Sequence, residues 1–126
     1  MDGMEFQGYT QGTIDFLWNL RFNNERGWFL AHKEEFLALV DRPTRALAAW
    51  LTREMTELYP ELGLELKVSR IYRDARRLFG RGPYKDHLWF SLRKPGEHDG
   101  SIPCFWVEVA PDHYGYGMGC WEMAPV

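Results

Sequence analysis

The stretch "CFWVEVAPDHYGYGMGC", Cys104–Cys120, decides the fold because it predicts a β-hairpin with a defined register. Large apolar residues alternate with other residues on each side of a Pro-Asp pair, as expected of two paired strands. A turn at Pro111 and Asp112 would set Ala110 opposite His113, and the rest of the pairing follows from that one contact.

This register sorts the side chains of the hairpin onto two faces. On one face, Trp106 lies opposite Gly117 and Cys104 opposite Gly119, so that aromatic bulk covers bare glycine backbone. Cys104 and Cys120 then lie on opposite faces, which argues against a disulfide, although a slip of one residue would reverse that conclusion. The core face is expected to carry the pairs Phe105–Met118, Val107–Tyr116 and Val109–Tyr114.

Two more strands are predicted before the hairpin. In "LELKV", residues 64–68, leucine and valine alternate with charged residues, which indicates a half-buried strand with its end or a bulge near Ser69. The loop "LFGRGPYKD", residues 78–86, contains two glycines and a proline, and "HLWFSL", residues 87–92, follows it as a strand.

In the first half of the chain, apolar residues recur at the spacing expected of amphipathic helices. A first helix is predicted in "TQGTIDFLWNLRFNN", residues 10–24, and a second from about Glu25 to Val40 with Asn23 or Asn24 as its N-cap. Pro43 suits the first turn of a third helix ending near Tyr59. The sequence therefore predicts one α+β domain, residues 1–126, with about three N-terminal helices packed on a four-stranded, mainly antiparallel sheet.

Charge is unevenly distributed along the chain. The net charge of the chain is −3. The segment from Lys67 to Lys85, however, contains seven Lys and Arg residues and only one acidic residue, Asp74, so its net charge is +6. The remainder carries −9, which disfavours a general nucleic-acid binder. No apolar run approaches a membrane span, no secretory signal is visible, and the two cysteines lack a C-x-x-C spacing. A reduced, cytoplasmic protein without a structural metal is expected.

Four motifs occur in order along the chain: "FQGY" (6–9), "NNERGWF" (23–29), "VSRIYRDAR" (68–76) and "PYK" (83–85). Together they resemble a conserved hypothetical family of bacteria and fungi, domain of unknown function 2461. The resemblance implies no activity. The chain has Arg77-Leu78 where the family pattern has Phe-Ser, and Gly80-Arg81 where it has Asp-Lys. Family members continue with a C-terminal helical portion, so the chain is expected to be a short member or a fragment whose sheet has an open face or edge.

The arginine-rich stretch is the strongest candidate for a site. A guanidinium group can donate two parallel hydrogen bonds to the oxygens of one phosphate or carboxylate group. In a glycine-containing loop, backbone amides can donate further hydrogen bonds to the same anion. The alternative is that Arg73 pairs with Asp74 or a helix carboxylate, and that Arg70 or Arg26 binds carbonyl groups at a helix end. The predicted binding residues for a small anion are Arg70, Arg73, Arg76, Arg81, Tyr84 and Lys85.

Two other functions stay open at this point. In an enzyme acting on an anionic substrate, Asp74 or His87 would move a proton. In an interaction module, the arginine loop would bind an acidic partner. Asn23, Asn24 and Arg26 could also line a polar pocket beside the loop. No cofactor, metal or membrane contact is expected, and the sequence leaves the oligomeric state open.

Overall fold

The computed structural model describes residues 6–94 and 104–119, with only the backbone for Arg77. Helices precede a four-stranded antiparallel sheet, which confirms the predicted α+β class. The helical segments are α1 Gln11–Phe22, α2 Arg26–Ala31, α3 Lys33–Phe36, a π turn Leu37–Asp41, α4 Arg42–Leu58, and the short 3-10 turns Pro60–Leu62 and Ala75–Arg77. The strands are β1 Glu65–Val68, β2 Leu88–Arg93, β3 Cys104–Val109 and β4 Tyr114–Gly119.

The sheet is a meander in the order β1-β2-β3-β4. The predicted hairpin register is confirmed at every described pair, from Val109–Tyr114 to Cys104–Gly119. The turn closes with a hydrogen bond of 2.9 Å from the Ala110 amide to the His113 carbonyl. The prediction that Cys120 lies on the face opposite Cys104 falls outside the described residues.

The predicted stop between the second and third helices is wrong. The helix instead continues from α3 through the π turn into α4. Pro43 has no amide to donate to the carbonyl of Leu39, four residues earlier, and that carbonyl accepts the buried hydroxyl of Thr13 at 2.7 Å. The α1 helix thus supplies the hydrogen bond that the proline cannot, and the π turn carries the chain past it.

The core lies between the helices and one face of the sheet. Burying each large apolar side chain there contributes about 1.5–3 kcal/mol to folding. The helices contribute Phe16, Leu17, Leu20, Phe29, Phe36 and Val40, while Ile71, Tyr84, Leu88 and Val109 complete the cluster.

The opposite face of the sheet, here called the outer face, carries a different set of side chains. Pairing between strands aligns Lys67 of β1 with Ser91 of β2, Trp106 of β3 and Gly117 of β4. The Trp106 ring lies against the glycines of β4, since a Cβ added to Gly117 would lie 3.3 Å from its Cζ2 atom. This is the aromatic cover over glycine that the sequence predicted.

Candidate anion-binding site

An isolated antiparallel bridge between Tyr72 and Tyr84 organises the arginine-rich segment. The Arg73 amide donates to the Pro83 carbonyl at 2.8 Å, and the Lys85 amide donates to the Ile71 carbonyl at 2.7 Å. The bridge sets Arg73 and Lys85 on adjacent chain segments, where the charge of Arg73 acts on Lys85. The bridge therefore holds two cations together.

Tyr84 is a predicted ligand-binding residue that the structure places in the core. Its ring is almost fully buried and stacks on Phe29 with 4.3 Å between centroids, and Tyr72 lies 5.4 Å away. Burial raises the pKa of the Tyr84 hydroxyl. The side chain of Tyr84 thus anchors the segment, while its backbone carbonyl faces the site.

The side chain of Asn24 holds the backbone of Tyr84 by two hydrogen bonds. Its amide nitrogen donates to the Tyr84 carbonyl and its amide oxygen accepts the Tyr84 amide, both at 2.8 Å. The prediction that Asn23 or Asn24 caps the second helix is wrong: Glu25 occupies the N-cap position, and the Asn23 side chain donates to the Asn19 carbonyl. An asparagine amide can replace a peptide group, and here it extends the bridge from the α1–α2 junction.

Arg73 is partly buried, and one nitrogen of its guanidinium group is held by a hydrogen bond to the backbone. Its Nε donates to the Tyr84 carbonyl at 2.7 Å, while its two terminal nitrogens make no hydrogen bond within residues 6–94 and 104–119. Burial lowers the pKa of Arg73, and the positive charge of Arg81 lowers it further. The guanidinium is thus oriented by the backbone with two donor groups left over.

Lys85 lies in a concentration of positive charge. Burial lowers the pKa of its ammonium group, and the charges of Arg70, Arg73 and Lys67 lower that pKa further. Within the described part of the chain, Lys67, Arg70 and Lys85 form no ion pair. We call Lys67, Arg70, Arg73 and Lys85 the basic cluster.

Two predicted arginines are bonded to groups outside the basic cluster, although the charge of Arg81 still acts on Arg73. Arg76 forms two contacts with Asp74, Nε to Oδ1 at 3.2 Å and Nη2 to Oδ2 at 3.0 Å, and its own amide also donates to Asp74. Arg81 donates through Nε to the Leu78 carbonyl at 3.1 Å. The structure therefore brings together Arg70, Arg73 and Lys85 of the predicted set and adds Lys67, which sequence reasoning missed.

The carboxylate of Asp86 acts on Arg73 but is already engaged elsewhere. It accepts Arg21 Nε at 2.5 Å and contacts His87 Nδ1 at 3.1 Å. Burial raises the pKa of Asp86, but the hydrogen bonds from His87 and Arg21 outweigh burial and bring the pKa below its ordinary value. Its negative charge is shared with these partners, so the basic cluster keeps a positive excess.

The whole arrangement can be compared with known proteins. Residues 12–126 match the family described as conserved hypothetical protein (DUF2461). The chain belongs to this family. It has no match among curated proteins or among solved structures. In this DUF2461 chain, the motifs "NNERGWF" and "PYK" meet through Asn24 and Tyr84, which shows one physical reason for their joint presence.

The described part of the DUF2461 chain also bears on metals and membranes. In residues 6–94 and 104–119 no three His, Cys, Asp or Glu side chains are grouped as a metal ion requires. No helix in the same ranges is long and apolar enough to cross a membrane.

Proposed function

We propose that the protein binds a small anion, a phosphate or carboxylate group, through Arg70, Arg73 and Lys85, with Lys67 at the edge of the site. Arg81 adds positive potential beside Arg73. Tyr84 and Asn24 hold the backbone that presents these groups, and Arg76 with Asp74 braces the following turn.

The observation that carries this proposal is that no acid among the described residues forms an ion pair with the basic cluster. Neighbouring positive groups repel one another, and this repulsion is less screened at Arg73 and Lys85, which are partly buried, than at the exposed Lys67 and Arg70. The acid that acts on Arg73, Asp86, is occupied by Arg21 and His87. A bound anion would relieve this repulsion, which gives the folded protein a reason to attract one.

The form of Arg73 supports the same conclusion. Arginine binds phosphate and carboxylate through two parallel N–H donors of the guanidinium group, here called the fork. This binding is stronger when the fork is already oriented before the ligand arrives. The bond from Nε to the Tyr84 carbonyl provides that orientation and leaves the terminal nitrogens for a ligand. Lys85 would add a point charge beside the fork.

The test is a titration of inorganic phosphate and of acetate, followed by calorimetry at low salt. Replacing Lys85→Gln or Arg70→Gln should weaken binding by tenfold or more, since a hydrogen bond to a charged group contributes about 1.5–3 kcal/mol. The melting temperature should stay equal or rise, because a repulsive charge is removed. Arg73→Gln is less informative, as it also breaks the bond to the Tyr84 carbonyl.

Arg53→Gln provides the matched control. Arg53 is exposed on α4, outside the cluster, and makes no ion pair among the described residues. Its replacement should leave phosphate binding unchanged. Equal losses in the cluster variants and the control, or a wild-type protein that binds neither anion at low salt, would show that the cluster is only a solvated surface.

A further inference from the structure

A cavity of about 260 Å³ lies on the outer face of the sheet, away from the helices. Alternation along β2 and β3 places its lining side chains on one face, and pairing between the strands sets Trp89 beside Glu108 and Ser91 beside Trp106. The lining residues are His87, Trp89, Ser91, Cys104, Trp106 and Glu108.

Ser91 brings a buried hydroxyl group to the wall of this cavity. Its side chain is only 2% exposed, and its hydroxyl has no hydrogen-bond partner among the described residues. Buried hydroxyl groups are normally paired, because one taken out of water without a partner destabilises the fold. A polar atom of a ligand in the cavity would supply the missing partner.

The walls of the cavity favour a flat ring. Trp106 is held against the glycines of β4, and Trp89 is its diagonal neighbour on the outer face. Indole faces stack on other aromatic rings, including every nucleobase. The volume is just under the lower limit of about 300 Å³ for typical ligand pockets, which suits a single small ring system.

The polar groups around the cavity lie at opposite sides. Glu108 on β3 binds His113 through its Oε1 atom at 2.7 Å, while its Oε2 makes no hydrogen bond among the described residues and could accept a ring N–H. On the other side, Lys67 of β1 lies directly opposite Ser91 on the same face of the sheet. Because Lys67 belongs to the basic cluster, the cavity and the cluster are neighbours across one strand pair.

We infer that the cavity holds the aromatic part of a ligand whose anionic group is bound by the basic cluster, and that the ligand class is a nucleoside monophosphate or an amino-heteroaromatic phosphate of similar size. The inference rests on the proposed function and names the ligand class of that site. The ring would lie between the indoles, donate an N–H to Glu108 and pair with the Ser91 hydroxyl, with its phosphate toward Lys67 and Lys85.

The experiment compares three probes by calorimetry: inorganic phosphate, adenosine and adenosine monophosphate (AMP). AMP should bind about fivefold or more tightly than phosphate, because stacking one base on aromatic side chains contributes about 1–3 kcal/mol. Ser91→Ala should weaken AMP binding about threefold to tenfold and leave phosphate binding unchanged. Lys67→Gln should weaken both probes.

Cys104 gives a second readout that does not depend on affinity. Its thiol lines the cavity, so in a Cys120→Ser protein bound AMP should slow labelling of Cys104 by a small thiol reagent. Phosphate alone should leave that labelling rate unchanged. AMP binding without protection of Cys104 would place the ring elsewhere and overturn the inference.

The possible failures are distinguishable. If phosphate binds and AMP binds no more tightly, the ring site is wrong and the proposed anion site stands. If adenosine binds as tightly as AMP, the cavity does not act together with the basic cluster, and the inference is wrong. If neither phosphate nor AMP binds, the proposed function itself fails.

Discussion

At the scale of single residues, Gly82 shows how closely the arginine-rich loop fits the helices. A Cβ at Gly82 would overlap the side-chain oxygen and the backbone carbonyl of Asn24, far inside van der Waals contact. Asn24 cannot move aside, since its amide makes two hydrogen bonds to the backbone of Tyr84. Glycine is therefore required here for space rather than for a left-handed backbone.

Replacing Gly82→Ala should lower the free energy of unfolding by about 1–3 kcal/mol, the usual cost of inserting a methyl group into a filled space. Urea unfolding measures this change. Gly27→Ala is the control: Gly27 lies in α2 with nothing within 4 Å of an added Cβ, and alanine there should be neutral or stabilising by up to about 1 kcal/mol. Equal stability of the Gly82 variant and wild type would mean that Asn24 does not hold the loop.

The sequence predicted little of this contact. Local preferences predict a helix cap at Asn24 and a loop at the glycines, because such preferences are what a single sequence displays. The bond between Asn24 and Tyr84 spans 60 positions, and nothing in the local pattern indicates which side chain will meet which backbone. Leu39 and Thr13 give the same lesson across 26 positions.

At the scale of elements, the β3–β4 hairpin is closed by a histidine between two acids. His113 contacts Glu108 through Nε2 and Asp112 through Nδ1, both at 2.7 Å. Both ring nitrogens can donate only when the imidazole is protonated. Hydrogen bonds to Glu108 and then to Asp112 raise the pKa of His113 above its ordinary value.

This arrangement predicts a pH dependence of hairpin stability. Since the pKa of His113 is higher in the folded than in the unfolded protein, its stabilisation is fully present below the unfolded pKa of about 6.5 and is lost as pH rises through the folded pKa. The difference in unfolding free energy between wild type and His113→Gln should be largest near pH ~6 and vanish in alkaline solution, as measured by urea unfolding at several pH values. A difference that grows with pH would contradict the assignment.

The elements themselves were largely predictable, for reasons that differ between strands and helices. The hairpin register followed from a period of two and one turn, and these constraints fix every other pair once Ala110 meets His113. The break at His32 and the π turn were not predictable. The π turn accompanies the hydrogen bond from Thr13 to the Leu39 carbonyl, which is a tertiary contact rather than a local preference.

At the scale of the whole molecule, the helical layer covers the sheet unevenly. An apolar groove of about 500 Å³ lies between α4, through Leu47, Leu51 and Met55, and the hairpin, through Val107 and Tyr116. The β4 side chains on this face are largely exposed, at 78% for Tyr114, 75% for Tyr116 and 65% for Met118. The predicted core pairs of the hairpin are thus correctly matched but only half covered.

The groove should bind an environment-sensitive dye such as anilinonaphthalene sulfonate (ANS) in the native state. Contiguous apolar surface of this kind is where such a ligand finds a dry contact. Leu51→Gln should reduce the fluorescence enhancement, whereas Leu58→Gln, at an exposed position of the same helix and outside the groove, should not. Unchanged enhancement in Leu51→Gln would mean that the dye binds elsewhere.

The candidate site shows how far charge alone can be interpreted. An excess of cations between Lys67 and Lys85 was visible, but which of them converge was not. Arg76 is neutralised by Asp74, only two positions away, whereas Lys67 joins the cluster from β1 because it faces outward beside the loop. The net charge of a segment can be counted from the sequence, but which charged side chains pair with one another is determined only by the fold.

The free edge of β4 leaves every second backbone amide of this strand without a partner strand among the described residues. Since Ala110 and His113 form a hydrogen-bonded pair, alternation directs the amides of Gly115, Gly117 and Gly119 toward β3 and those of Tyr114, Tyr116 and Met118 outward. No strand pairs with that edge within residues 6–94 and 104–119. Deuterium uptake along β4 should therefore alternate between slow glycines and fast neighbours, and a loss of that alternation at high protein concentration would reveal a second backbone docked there.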